Sequence, residues 1–394
     1  MHKPDAEPVS PLVRFINALL IGVILLLPAG QFLRIGNSGI YLLDPVLAII
    51  TVLLVFYYRL SPFHRLRTAP LAQAVLWFLG WNVISFIAGF RLPGIPEHLT
   101  AAAYLLRLSV YLVFMLYLLL HCSRRGIRRA LLDAAVLTSG AFIVLGAGVQ
   151  YFFYPDLRPL MYAGWDPHFA RAFGTFLEPV VLAAMLGIFG IGLCHSGSRG
   201  SAAIVPFVLV SFLATFSRGA WIALTGALAA GIPRKYRLTA LVITLLIGIL
   251  AIFLLPKPGG EGVNLLRTST IISREADYQQ GIALWLAHPI AGVGYNRIGS
   301  FKTTESAPGS QRNNAANSFH ATYLTVLATS GIVGLLLFAN LLLTLARLHG
   351  YTNTVVIFLG ILSLFDNMLL HPFVLIGLAI GSGRFLTPPS YKLG

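Results

Sequence analysis

Residues 101–120 read AAAYLLRLSVYLVFMLYLLL, twenty positions interrupted by one charge, Arg107. A helix needs about 20 apolar residues to cross the hydrocarbon of a bilayer, where nothing but the helix itself satisfies the backbone. The same ruler laid outward in both directions gives the spans 15–33, 40–58, 70–90, 101–120, 130–153, 177–194, 201–216, 218–232, 238–255, 319–346, 354–370 and 372–387. Composition agrees. Of 394 residues, 57% are hydrophobic and 10% charged, whereas a soluble domain carries about 25% charge. The expected fold is all-α, a polytopic integral membrane protein with about twelve transmembrane helices in a single membrane domain over residues 1–394. The tenth span is longer than a crossing requires, so it tilts, bends or projects.

The net charge of +15 does not mark a nucleic-acid binder, because Lys and Arg sit in short clusters between apolar runs. With a cytoplasmic N-terminus, sixteen of these cations fall in inside segments and five in the short outside ones, as the positive-inside rule asks. Nine spans then precede residues 256–318, which places this one long loop, between spans nine and ten, on the outer face and both termini in the cytoplasm. The first apolar run is long for a cleaved signal, so a retained first helix is expected. Two cysteines, Cys122 and Cys194, are too few for a disulfide framework, and none is expected.

The loop has three parts. Residues 256–270 are a Gly- and Pro-rich connection. Residues 272–288, ISREADYQQGIALWLAH, carry apolar positions at helical spacing and form a short amphipathic helix near the membrane. Residues 289–318 are irregular, and the Gly-Val-Gly at 292–294 reads as a tight turn. It follows no strand and lacks the third glycine of a dinucleotide loop.

Ionisable residues gather at the outer edge of the spans: Asp44, Arg171, Glu178, Arg218, His320, Asp366 and His371. Such groups at the edge of hydrocarbon are functional candidates. Arg218 interrupts an apolar run at Ser217-Arg218-Gly219, and it either binds lipid headgroups or grips an anionic group with its planar fork. Arg107 either pairs with a buried acid or snorkels. His320 is either an interfacial histidine or a proton carrier, and Arg274 either a surface ion pair with Asp277 or an anion ligand. Metal chemistry is not expected, since no His-x-x-x-His pair, Cys pair or outer Asp-x-Asp is present.

Four stretches carry a resemblance: RAFGTFLEPVVLA (171–183), TFSRGAWIA (215–223), READYQQGIALWLAHPIAGVGYNRI (274–298) and NSFHATYLTVLATSGIVGLLLF (317–338). Together they resemble the O-antigen ligase and polymerase superfamily of bacterial membrane glycosyltransferases. Glu178-Pro179-Val180 departs from the Asn-Pro-Asn common in that family, and Ala321 follows the histidine where Asn is common. The resemblance implies a metal-independent, inverting enzyme of the bacterial inner membrane that needs no cofactor. Its donor would be a glycan on undecaprenyl diphosphate, and its acceptor a sugar hydroxyl on lipid A-core or on another glycan. Carried onto this chain, Arg218 and Arg274 would clamp the diphosphate and His320 would act on the acceptor hydroxyl. Arg171, Glu178, Trp285 and Tyr295 would bind substrate. Ligase is preferred over polymerase because there is one large loop and no appended domain. From a different class, a secondary transporter also fits twelve helices with both termini inside, although transporters hold polar groups near the midplane and show repeats.

Overall fold

The computed structural model describes residues 10–36, 39–58, 70–91, 98–163, 165–231, 269–302 and 318–386, together with Val242 and Leu246. Twelve α-helices run through them: α1 Pro11–Leu26, α2 Leu43–Tyr58, α3 Pro70–Ala88, α4 His98–Ser123, α5 Arg129–Phe153, α6 Pro179–Ser196, α7 Arg199–Leu213, α8 Arg218–Gly231, α9 Ser269–Ala287, α10 Thr322–Ala346, α11 Gly350–Leu362 and α12 Pro372–Phe385. Among the described residues extended pairing is confined to two isolated bridges, Arg34–Tyr41 and Asp156–Phe169. A helix stands at each expected span except 238–255, where all but Val242 and Leu246 lie outside the described residues. Among the described residues six segments are long and apolar enough to cross a membrane, counting α1 together with its 3-10 extension to Leu33. The protein is thus a polytopic helical membrane protein.

The helices α6 and α12 form the centre. Both are apolar on every side, which is the mark of a helix surrounded by protein, and nearly every residue of each is buried. Around them pack α3 against α10, α4 against α2 and α12, α7 against α6, and α8 against α11. Outward-facing Phe56, Trp77, Leu106, Phe142 and Phe207 are exposed, as lipid-facing residues must be.

Two of these readings need correction. The eleventh span does not run over 354–370: α11 stops at Leu362, and residues 363–371 form a polar turn. Leu364, Phe365, Met368, Leu369 and Leu370 made that turn look like membrane helix by hydropathy. Arg274 does not pair with Asp277, as described below. Of the two readings of Arg107, the pairing with an acid holds: it meets Asp44 at 3.1 Å within the bundle.

The tenth span bends. Gly331 inside α10 has φ +65° and ψ −171°, outside helical geometry. An ideal α10 would be about 37 Å long and α11 about 20 Å, yet Tyr323 near the start of α10 hydrogen bonds the Gly360 carbonyl near the end of α11 at 3.0 Å. Both can hold only if residues 322–330 turn sharply away from 331–346 and lie across the end of the bundle. The break frees backbone groups, and the turn after α9 takes them. Val293 N–H donates to Ala328 O at 3.0 Å, Gly294 N–H to Thr329 O at 2.8 Å, and Ile332 N–H to Pro289 O at 2.9 Å. The Gly-Val-Gly segment is the expected tight turn, with positive φ at Gly292 and Gly294.

A Cβ at Gly331 would strike the carbonyl of Ile290, on a backbone conformation that side chains rarely adopt. Gly331→Ala should therefore destabilise the protein by about 2–4 kcal/mol. The control is Gly22→Ala, where a Cβ meets nothing within 4 Å. Thermal unfolding in detergent checks this; equal midpoints for the two variants would rule the joint out as a stability determinant.

Candidate active site

The turn that fills the Gly331 break also sets the position of α9, which packs along the start of α10. This brings Asp277 of α9 to His320, just before α10. One carboxylate oxygen of Asp277 accepts both from the His320 backbone N–H at 2.7 Å and from its Nδ1 at 2.9 Å. The other oxygen takes Lys302 Nζ at 2.7 Å, and Lys302 also donates to the Ser318 carbonyl at 2.8 Å. Asp277 is thus gripped from three donors on two segments. Burial pushes its carboxyl up, but the hydrogen bonds from His320 and Lys302 outweigh burial and hold it at about 2.

An anionic acceptor on Nδ1 fixes the tautomer with the proton there, leaving Nε2 as the lone-pair nitrogen. The hydrogen bond to Asp277 raises the His320 pKa above the ordinary imidazole value, with burial opposing. The side chain is 41% exposed, so Nε2 can meet a substrate. The pair has the composition of a general base and its orienting acid.

Facing it is a set of charges from four other places. Arg274, one turn before Asp277, reaches both carboxylate oxygens of Asp366 in the α11–α12 turn through Nη2, at 3.1 and 3.0 Å. Its Nε is buried with no hydrogen-bond partner. The turn is tied down by the Tyr278 hydroxyl on the Leu364 carbonyl, and Thr322 N–H on Ser363 O at 2.9 Å joins it to α10. Arg218, the first residue of α8, lies within electrostatic reach of Arg274. Asp366 also feels Glu178, His320 and Arg171.

Arg171, Arg218, Arg274, Glu178 and His320 therefore converge on one end of the bundle. Arg171 is buried and donates Nε to the Thr215 carbonyl at 2.9 Å, holding the turn before Arg218. Glu178 caps α6 through Val180 N–H at 3.4 Å. Burial acts to raise its pKa, but His168 and Arg171 outweigh this and hold it below the ordinary range.

Trp285 and Tyr295 stand apart. The Trp285 indole N–H goes to the Pro289 carbonyl at 3.2 Å, closing the end of its own helix. Tyr295 lies near Arg107 and Tyr104. Sequence reasoning passed over Asp277 as the partner of His320, and over Lys302 and His168. For Asp277 the signal was its place one helical turn from Arg274, on the same face.

The helices thus bring a histidine–aspartate pair and a cluster of arginines to one end of a polytopic bundle. Residues 182–339 match the family model described as O-antigen ligase, a stretch that holds Arg218, Arg274, Asp277 and His320. The resemblance to the O-antigen ligase and polymerase superfamily is thereby borne out over that stretch. A search of curated proteins found no significant match.

Because Asp277 raises the His320 pKa, Asp277→Asn should move the His320 titration to lower pH. The pH profile of diethylpyrocarbonate modification, followed on the His320 peptide by mass spectrometry, reads this directly. An inflection that stays put or rises would show that Asp277 does not control the imidazole.

Proposed function

We propose that the protein transfers a glycan from undecaprenyl diphosphate to a sugar hydroxyl of lipid A-core at the periplasmic face of the inner membrane. The observation that carries this reading is the Asp277–His320 pair set opposite Arg274 and Arg218, within residues that match the O-antigen ligase family. The orientation that supports it is the one read from charge: about twelve crossings, both termini cytoplasmic, and residues 256–318 outside as the loop over the site.

In this mechanism His320 Nε2 takes the proton of the acceptor hydroxyl as that oxygen attacks the anomeric carbon. The bond from that carbon to the diphosphate oxygen breaks on the opposite face, so the configuration inverts. Undecaprenyl diphosphate leaves with the bonding electrons, and no acid needs to protonate it. The charge that develops on it is met by Arg274 and Arg218, whose guanidinium forks match phosphate oxygens. The step runs without a metal. The proton on His320 then passes to water. Arg171 acts from behind, by holding the Thr215–Phe216 turn that carries Arg218. Asp366 would border the substrate, and Trp285 and Tyr295 would meet parts of it away from the diphosphate.

His320→Ala should lower transfer by about 10²- to 10⁴-fold while the protein remains folded in membranes. The assay is transfer of lipid-linked glycan by the purified protein, and near-normal turnover would remove His320 from the mechanism.

Arg274→Lys keeps the charge but loses the fork, so transfer should fall on the order of tenfold or more. Full retention would show that a point charge suffices.

The polymerase reading uses the same residues with a glycan acceptor. Deletion of the protein should leave long lipid-linked chains if it is a ligase; accumulated single repeat units would instead favour the polymerase.

A further inference from the structure

The connection between α5 and α6 holds a cluster that the transfer chemistry does not use. Asp166, His168 and Glu178 each offer one ligand atom, and the three atoms lie within 4.8 Å of one another. Asp166-Pro167-His168 lies in non-helical chain, and residues two apart in extended chain point to the same side. The chain is held in that form by a short ladder, Leu157 N–H to His168 O and Ala170 N–H to Pro155 O, both at 2.8 Å. Glu178 arrives from a separate frame, as the cap of α6.

The distance between His168 Nε2 and Glu178 Oε2 is 3.5 Å. That is long for a charge-assisted hydrogen bond, which prefers about 2.7–2.9 Å. It is close to the separation of about 3.4 Å between two ligands on a tetrahedral ion with bonds of about 2.0–2.2 Å. Asp166 is exposed and brings its carboxylate to within 4.8 Å of the other two ligand atoms. One imidazole and two carboxylates carry two negative charges, which a divalent ion neutralises. The mixed nitrogen and oxygen set suits Zn²⁺ or another first-row divalent ion more than Ca²⁺ or Mg²⁺, which favour all-oxygen shells.

We infer that Asp166, His168 and Glu178 form a structural divalent-cation site that fastens the α5–α6 connection to the start of α6. The ion sits outside the His320–Arg274 constellation and takes no part in glycan transfer. Its work is to hold the segment that carries Arg171, which in turn holds the turn before Arg218. The sequence search for paired histidines and cysteines missed this set because its third ligand lies ten residues beyond the second.

The full-length protein, purified in detergent without a histidine tag and stripped with chelator, is titrated with Zn²⁺ by calorimetry while thermal unfolding is followed. One equivalent should bind and raise the unfolding midpoint. His168→Ala and the milder Asp166→Asn, at an exposed position, should each weaken binding by about tenfold or more and reduce the rise in midpoint. Cys194→Ser should behave as wild type. Lack of Zn²⁺ binding by the wild-type protein would overturn the proposal, as would binding that survives both His168→Ala and Asp166→Asn or is lost in Cys194→Ser. These readouts do not use transfer activity, so they stand or fall apart from the proposed reaction.

Discussion

The site depends on one joint, where the Pro289–Gly294 turn enters the break in α10 at Gly331. A straight helix would have kept the Ala328 and Thr329 carbonyls for its own ladder. The break releases them, and within a membrane protein an unpaired backbone group costs several kcal/mol. The turn supplies the missing donors through Val293 and Gly294 and gives up a carbonyl to Ile332. Side chains of α3 close the joint: Ser85 donates to Thr329 O at 2.7 Å and the Trp81 indole to Ser330 O at 2.7 Å. Three elements are pinned at one point. Since α9 runs directly into this turn and His320 directly into α10, the joint fixes how Asp277 and His320 meet.

Charge is balanced in the same economical way. Each acid near the site is engaged by a base from a different element: Asp277 by His320 and Lys302, Asp366 by Arg274, Glu178 by His168. Buried charges need such partners, and the pairing also stores reactivity. Arg274 spends one nitrogen on Asp366 and keeps Nε buried without a partner. In the proposed reaction an incoming diphosphate finds two cations already held close together, one of them neutralised by an acid it can displace. The like-charge repulsion that Arg218 feels from Arg274 is relieved by that anion, and this differential favours binding of a doubly charged group.

Much of this was legible in the sequence, and the reasons for the gaps are physical. Apolar run length gave the helices, because lipid tolerates little else. Arg218, Arg274 and His320 stood out because a charge at the edge of hydrocarbon is costly. Partners were harder. Arg274 and Asp277 lie three apart on one helix face, so a local pair was the natural reading. Both instead face the same crowded end of the bundle, and α11 ending early lets Asp366 reach Arg274 while His320 takes Asp277. Hydropathy averages over a window and therefore ran α11 through to residue 370. It allowed the tenth span a bend by its length but gave the bend no position, because Gly331 sits in an unbroken apolar run.

The bend in α10 also explains why charged groups can sit where hydropathy places membrane. With residues 322–330 lying across the end of the bundle, the crossing part of α10 is residues 331–346, about 24 Å by helical rise. Its neighbours α11 and α12 rise only about 20 Å, short of the roughly 30 Å of hydrocarbon. Helices that short cannot run from one membrane surface to the other, so the turn joining them lies within the depth of the bundle. Asp366 in that turn has only 14% of its side chain exposed, in keeping with such a recess. Longer helices would lift the turn to the surface and leave its acid in bulk water, where a guanidinium pair contributes little. The short α11 and α12 and the folded start of α10 thus act together. They set the polar turn back from the end of the bundle, where Arg274 of α9 reaches down to Asp366.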